Sequence, residues 1–210
     1  MTEMKIQLSS LQTQLDSERA ELQKEKVDGA SLRERLAVLE TKFQLGHAKE
    51  HNFREPPCTA VPLGMESGAI PDGYITASTT HQVCATSEAR LHSSQAWCAN
   101  NPLNTNQWLQ VDVGAETTVA GVITQGRPGS SNQWVTSYKL RFSRDGVMWS
   151  TYLDKLGRER VFPGNSDQDT EVRHLLDLPV TARYVRFWPQ TWNSHLSMRV
   201  EVLGQDCTGD

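Results

Sequence analysis

The sequence predicts an all-β domain, a sandwich or barrel, behind an N-terminal α-helical coiled coil. Three observations predict it. Apolar and polar residues alternate with a period of two along several stretches beyond residue 58, the mark of half-buried strands. Residues 1–46 instead keep one heptad register throughout. Composition changes at the same boundary: residues 1–57 hold no Trp, Tyr or Cys and no Pro before Pro56, whereas all six Trp and all four Cys lie beyond it. The 210-residue chain therefore divides into a coiled coil over 1–46, a linker over 47–57, a β domain over 58–207 and a tail over 208–210.

In the helical segment, position a falls at Met1, Leu8, Leu15, Leu22, Gly29, Leu36 and Phe43, and position d at Met4, Leu11, Glu18, Glu25, Leu32, Leu39 and Gly46. Ten of these fourteen positions are apolar, and helix formers flank them. The centre is weak. Val27-Asp28-Gly29-Ala30 breaks the pattern, and Ser31 with Glu34 forms a capping box that restarts a helix. The segment is one long helix with a poor centre or two helices, and its seam predicts self-association through residues 1–46. Pro56-Pro57 ends any helix.

In the β segment the alternating runs are Val111 and Val113, then Tyr138, Leu140 and Phe142, then Val185 and Phe187, then Met198, Val200 and Val202, with polar residues between. Asp145-Gly146 separates two runs as a hairpin turn, and Pro71-Asp72-Gly73 and Pro163-Gly164-Asn165 mark further turns. No long helical period interrupts the strands, which argues against a parallel α/β fold. On the alternation, Arg199 and Glu201 belong to a solvated strand face.

Charge and motifs narrow the function classes. With 21 Lys+Arg against 25 Asp+Glu, net −4, the chain is no general nucleic-acid binder. No apolar run reaches membrane-span length. There is no G-x-S-x-G, H-E-x-x-H or P-loop. His174 and Asp177, the nearest dyad, are three apart and fall on opposite faces of a strand. The cysteines Cys58, Cys84, Cys98 and Cys207 form no C-x-x-C pair, so no metal site and no cofactor is expected. Four cysteines allow three pairings.

Several motifs stand in a distinctive order: Pro62-Leu63-Gly64-Met65-Glu66-Ser67-Gly68, Ile75-Thr76-Ala77-Ser78, Gln107-Trp108-Leu109-Gln110-Val111-Asp112, Thr124-Gln125-Gly126-Arg127, Ser143-Arg144-Asp145-Gly146, Ala182-Arg183-Tyr184-Val185-Arg186-Phe187 and Ser197-Met198-Arg199-Val200-Glu201. Together they resemble the discoidin family, the C-type domains of coagulation factors V and VIII, over roughly 58–207. The resemblance implies a galactose-binding-like jelly-roll sandwich of about eight strands that binds rather than catalyses. It implies an extracellular or cell-surface setting and a terminal disulfide, here Cys58–Cys207, which leaves Cys84 and Cys98 to close a short loop. The chain opens without the apolar core of a signal peptide, so on this reading it is a fragment or is exported by another route.

Family ligands include phosphatidylserine membranes, glycans and cell-surface proteins, bound through loops at one end, here about 78–88, 92–101 and 127–134. The candidates are Thr79, Thr80, His81, Gln82 and Val83 in the first loop, His92, Ser93, Ser94, Gln95 and Trp97 in the second, and Ser130, Ser131, Asn132, Gln133 and Trp134 in the third. Val83 is the only large apolar tip residue of the first loop, and 78–88 holds no Lys or Arg. Hydrogen-bonding side chains beside Trp97 and Trp134 suit a cell-surface glycan or glycoprotein better than an anionic phospholipid, the alternative partner. A scaffold working through the coil is the third reading. The competing reading of single residues makes Trp97 and Trp134 core caps, Trp108, Trp188 and Trp192 core, and Arg90 and Arg127 internal hydrogen-bond donors.

Overall fold

The computed structural model describes residues 2–24, 36–42, 58–101 and 104–207. The chain forms two compact units, Met1–Pro57 and Cys58–Asp210.

The first unit contains helix α1 (Thr2–Lys24) and a second helical stretch at 36–42. The shielded residues are Leu8, Leu11, Gln12, Leu15 and Glu18 on α1, and Leu36, Leu39 and Glu40 on the second stretch. All but Gln12 and Glu40 are the a and d positions of the heptad, and Leu15 is fully buried. Off the seam, Ile6 and Val38 face solvent. In one continuous helix Arg19 and Glu40 would lie roughly 30 Å apart. They are ion-paired at 2.9 Å, so the two stretches are brought together at that pair. The expected break at 27–30, its capping box and the linker at 47–57 lie outside the described residues.

The second unit is a nine-stranded antiparallel sandwich: β1 (Thr59–Pro62), β2 (Ile75–Ala77), β3 (Trp97–Cys98), β4 (Leu109–Gln125), β5 (Trp134–Ser143), β6 (Ser150–Thr151), β7 (Phe162–Pro163), β8 (Val172–Asn193) and β9 (Ser197–Asp206). The main path runs β1-β9-β4-β8-β5-β6, with β2 on β4, β3 on β9 and β7 on β5. The long strands β4 and β8 serve both layers. Residues 109–112 of β4 pair with 184–187 of β8 and with β2, whereas residues 121–124 pair with 172–175 of β8 and with β9. Register shifts after Asp112 and after Val119 make the bend possible. Gly114 sits in the first at φ +87°, a conformation that favours glycine, and donates its N–H to Asp112 Oδ1.

The alternation read from the sequence places Val111, Tyr138, Leu140, Phe142, Val185 and Phe187 in one core with Trp97, Leu109 and Phe162. Tyr138 stacks on Phe162 at 5.6 Å between ring centroids. Strand β9 departs from the expectation, because Ser197–Gly204 are buried on both faces. Trp108 and Trp188 depart the other way: they are half-exposed on the outside of the sheet, packed against arginines. Cys58–Cys207 joins the ends of the unit beside the β1–β9 pairing, and Cys84–Cys98 ties the β2–β3 connection to β3. The Asp145-Gly146 turn follows β5, at the end of the sandwich opposite the β4–β5 connection.

Candidate ligand-binding end of the sandwich

Three connections meet where β4 and β8 end and β5 and β9 begin: 78–96, 126–133 and 194–196. One buried side chain organises them. Arg199, 3% exposed, donates from Nε to Gly126 O, from Nη1 to Ser93 O and from Nη2 to Gln168 O, each at 2.8 Å, and pairs with Asp169 at 2.9 Å. Gln125 adds a second tie: its Oε1 accepts from His92 N and its Nε2 donates to Asp169 O. Gln168 donates to Gly129 O and to Asn132 Oδ1. Among the described residues, the non-glycine residues with φ in the left-handed region are His92, Asn132 and Ser194, and all three sit in these connections. Such backbone is held only where its surroundings over-determine it.

Over this frame lies a polar cluster. His81 is anchored by its N–H to Cys98 O, and its ring meets that of His195 edge-on at 6.2 Å. Arg127 donates to Gln133 Oε1 at 3.0 Å and reaches Gln95 Oε1 at 3.5 Å. Ser197 also donates to Gln133. Burial, with the nearby His81 and Arg127, holds the His195 imidazole below its usual value against a smaller opposing effect from Leu196 O. His195 is therefore neutral at pH 7; its Nδ1–H donates to Leu196 O at 3.3 Å, which leaves Nε2 as an acceptor.

The sequence candidates divide into three groups. Thr80, Gln82, Val83, Ser94, Gln95, Ser130 and Asn132 are exposed at this end, with His81, Ser131, Gln133 and Trp134 partly so. A second group is consumed by the frame. Thr79 Oγ1 donates to Gln107 and accepts from Asn100 N, and Ser93 Oγ donates to Glu88. His92 bridges Glu66 at 2.7 Å and Glu171 at 2.9 Å. Trp97 stands alone: it is 0% exposed, with Nε1 donating to Thr79 O, so its ring is core and offers no face to a ligand. Arg90 is an internal donor, bonded to Met65 O and Ile70 O. His174 donates from Nε2 to Pro163 O while Asp177 pairs with Arg160, so the two form no dyad.

Sequence reasoning missed His195, Asn193, Gln168 and the organising role of Arg199. The polar run Asn193-Ser194-His195 between Trp192 and Leu196 was the available signal for a loop there. Nothing in the alternation distinguishes an inward arginine.

A family model described as "F5/8 type C domain" matches residues 74–202. Coagulation factor VIII of Canis lupus familiaris is 43% identical over 157 residues, 70% of this chain and 6% of that protein. Lactadherin of Sus scrofa is 36% identical over 157 residues, 69% of this chain and 38% of its own length. The chain thus spans well under two thirds of these relatives. Among solved structures, discoidin II of Dictyostelium discoideum superposes with a TM-score of 0.60 at 26% identity, covering 70% of this chain and 59% of that one. Among the described residues no helix is long and apolar enough to cross a membrane. With the motifs, the sandwich and the family model in agreement over the same residues, this chain belongs to the F5/8 type C, or discoidin, domain family.

Proposed function

We propose that this chain is a non-catalytic extracellular binding protein whose discoidin domain takes a cell-surface glycan or glycoprotein at the loop end. The carrying observation is the cluster of His81, Gln95, Arg127, Gln133 and His195, which presents donors and acceptors over a frame locked by Arg199 and the Cys84–Cys98 bridge. A sugar hydroxyl needs both kinds of group. The His195 imidazole supplies an acceptor at Nε2, and the Arg127 guanidinium edge supplies donors. Preorganisation matters here because a saccharide buries little apolar area, and ordering loops on binding would consume the gain.

A membrane reading fits the end less well. Its exposed large apolar residue is Val83, 65% exposed. Fully burying a valine is worth roughly 1.5–3 kcal/mol, and stable membrane anchoring takes more than one such signal. Self-association through residues 1–46 would multiply weak sites.

The test is a glycan array read beside co-sedimentation with phosphatidylserine vesicles. Glycan binding that falls at least tenfold in Gln95→Ala and His81→Ala, with no vesicle binding, is the expected result. Vesicle binding lost in Val83→Asp, with no glycan bound, would replace the proposal by the membrane reading.

A further inference from the structure

A second feature lies on the outer face of the sheet, where Trp108 adjoins Ser78 at the start of the first loop. The outward residues of neighbouring strands form a row, Gln110 on β4, Arg186 on β8 and Arg141 on β5, paired in that order. Arg141 stacks over the Trp188 ring at 3.6 Å. Arg186 lies between two indoles, 4.1 Å from Trp108 and 3.7 Å from Trp149. Asn106, Trp108, Arg141, Arg186 and Trp188 line an open pocket of about 260 Å³.

The charges in this pocket are only partly compensated: Glu159, held low chiefly by Lys139, also feels Arg141. Among the described residues no carboxylate lies within salt-bridge distance of either guanidinium, and both nearby acids are committed. Glu159 is paired with Lys139 at 2.6 Å, and Asp112 with Arg183 at 2.8 Å. Arg186 has one neutral partner, Gln110 Oε1 at 2.8 Å, and Arg141 Nε is buried without a hydrogen-bond partner. Burial and the adjacent Arg141 pull the Arg186 guanidinium below its usual value, as expected for two cations side by side without a paired counterion. Stacking on indoles offsets part of this cost. It also occupies the guanidinium faces and leaves their N–H edges for in-plane hydrogen bonds, the geometry that binds oxyanions in pairs.

We propose that this outer face is a second binding site, distinct from the loop end, for the sulfate or carboxylate group of an acidic saccharide. Two guanidinium forks hold the oxyanion, and the amide of Asn106 and the edges of Trp108 and Trp188 meet the sugar that carries it. A membrane is the weaker partner for this face. The pocket lies along the strands rather than at a tip, and its indoles are packed against arginines instead of projecting.

The experiment titrates the full chain with a sulfated oligosaccharide, its desulfated counterpart and inorganic sulfate at about 0.15 M salt, where long-range attraction is screened. Phosphatidylserine vesicles form a fourth arm. Saturable binding of the sulfated sugar is expected, weakened about tenfold or more in Arg141→Gln, since one charge-assisted contact is worth that much. The desulfated sugar and inorganic sulfate alone should bind at least tenfold more weakly. His81→Ala, at the loop end, should leave this binding unchanged, so the two sites fail separately. If Arg141→Gln does not fold, Asn106→Asp sets a carboxylate at the rim of the pocket and should give the same loss. The proposal is overturned if the native chain binds no sulfated sugar, if inorganic sulfate binds equally well, if the arginine and rim variants bind normally, or if only vesicles bind.

Discussion

Arg199 and Glu201 show how a single residue can run against its pattern. Both alternate with Met198, Val200 and Val202 and so fall on the polar face by sequence. In the structure both are buried, and each organises a loop. Glu201 accepts from the N–H groups of Gly64, Met65, Glu66 and Val202, and Arg199 donates to three carbonyls. The alternation rule presumes one solvated face, and β9 has none because loops fold over it; that covering is a tertiary fact absent from the strand's own residues. The partners of Arg199 set the expectation for mutation. Asp169 is 71% exposed on its side chain, so Asp169→Asn should cost less than about 1 kcal/mol. Arg199→Leu leaves buried carbonyls without donors and should cost about 3–5 kcal/mol, measured by urea unfolding. Equal costs for the two variants would mean that the ion pair, not the carbonyl clamp, holds the loops.

At the scale of elements, two of the three expected turns were legible and the clamps were not; Pro163-Gly164-Asn165 instead continues the pairing with β5, Gly164 and Asn165 donating to Thr136 O and Val135 O. Asp145-Gly146 is a turn as its residues dictate: Asp145 Oδ1 accepts from Val147 N and Met148 N at 2.8 Å, and Gly146 takes φ +75°. The loop at His92 depended on groups far away in sequence, Glu66 and Glu171. It carries a pH signature. The hydrogen bond that His92 donates to Glu66, then the charges of Glu66 and Glu171, outweigh burial and raise the His92 imidazole above 6.5. A raised folded value means that its stabilisation is complete below about pH 6.5 and is lost as pH rises through the raised value. His195, held below 6.5, has the opposite sign and stabilises above that pH. Asp112 and Asp145 are both held low. For Asp112, burial opposes Arg183 and Gly114 but is outweighed; for Asp145 the Met148 and Val147 amides dominate. Their contribution is present above about 3.8 and fades as pH falls through their lowered values. Melting temperatures at mildly acidic and mildly alkaline pH should therefore differ between the native chain and His92→Gln. The variant should lose stability on the acidic side and little on the alkaline side. A variant that lost equally at both would show that the clamp acts through shape rather than charge.

For the whole molecule, the boundary at residue 57 and the helical character of α1 were legible because composition and periodicity are local properties. The pairing of Arg19 with Glu40 was not, since a heptad seam does not say whether its partner is the same chain or another. The geometry leaves room for both. Leu8 and Leu11 remain partly open while Leu15 is covered. A second copy of the chain would cover that remainder. The full chain should therefore sediment as an oligomer in light-scattering or ultracentrifugation measurements, and the double substitution Leu8→Asp with Leu11→Asp should reduce it to a monomer without moving the melting of the β domain. Binding to a dense glycan surface should then fall by about 10² or more, because linked weak sites gain that much from effective concentration. Affinity for a single soluble saccharide should be unchanged. A native chain that is monomeric would mean that the seam is satisfied at home, and each discoidin domain would then have to hold its ligand by its own contacts alone.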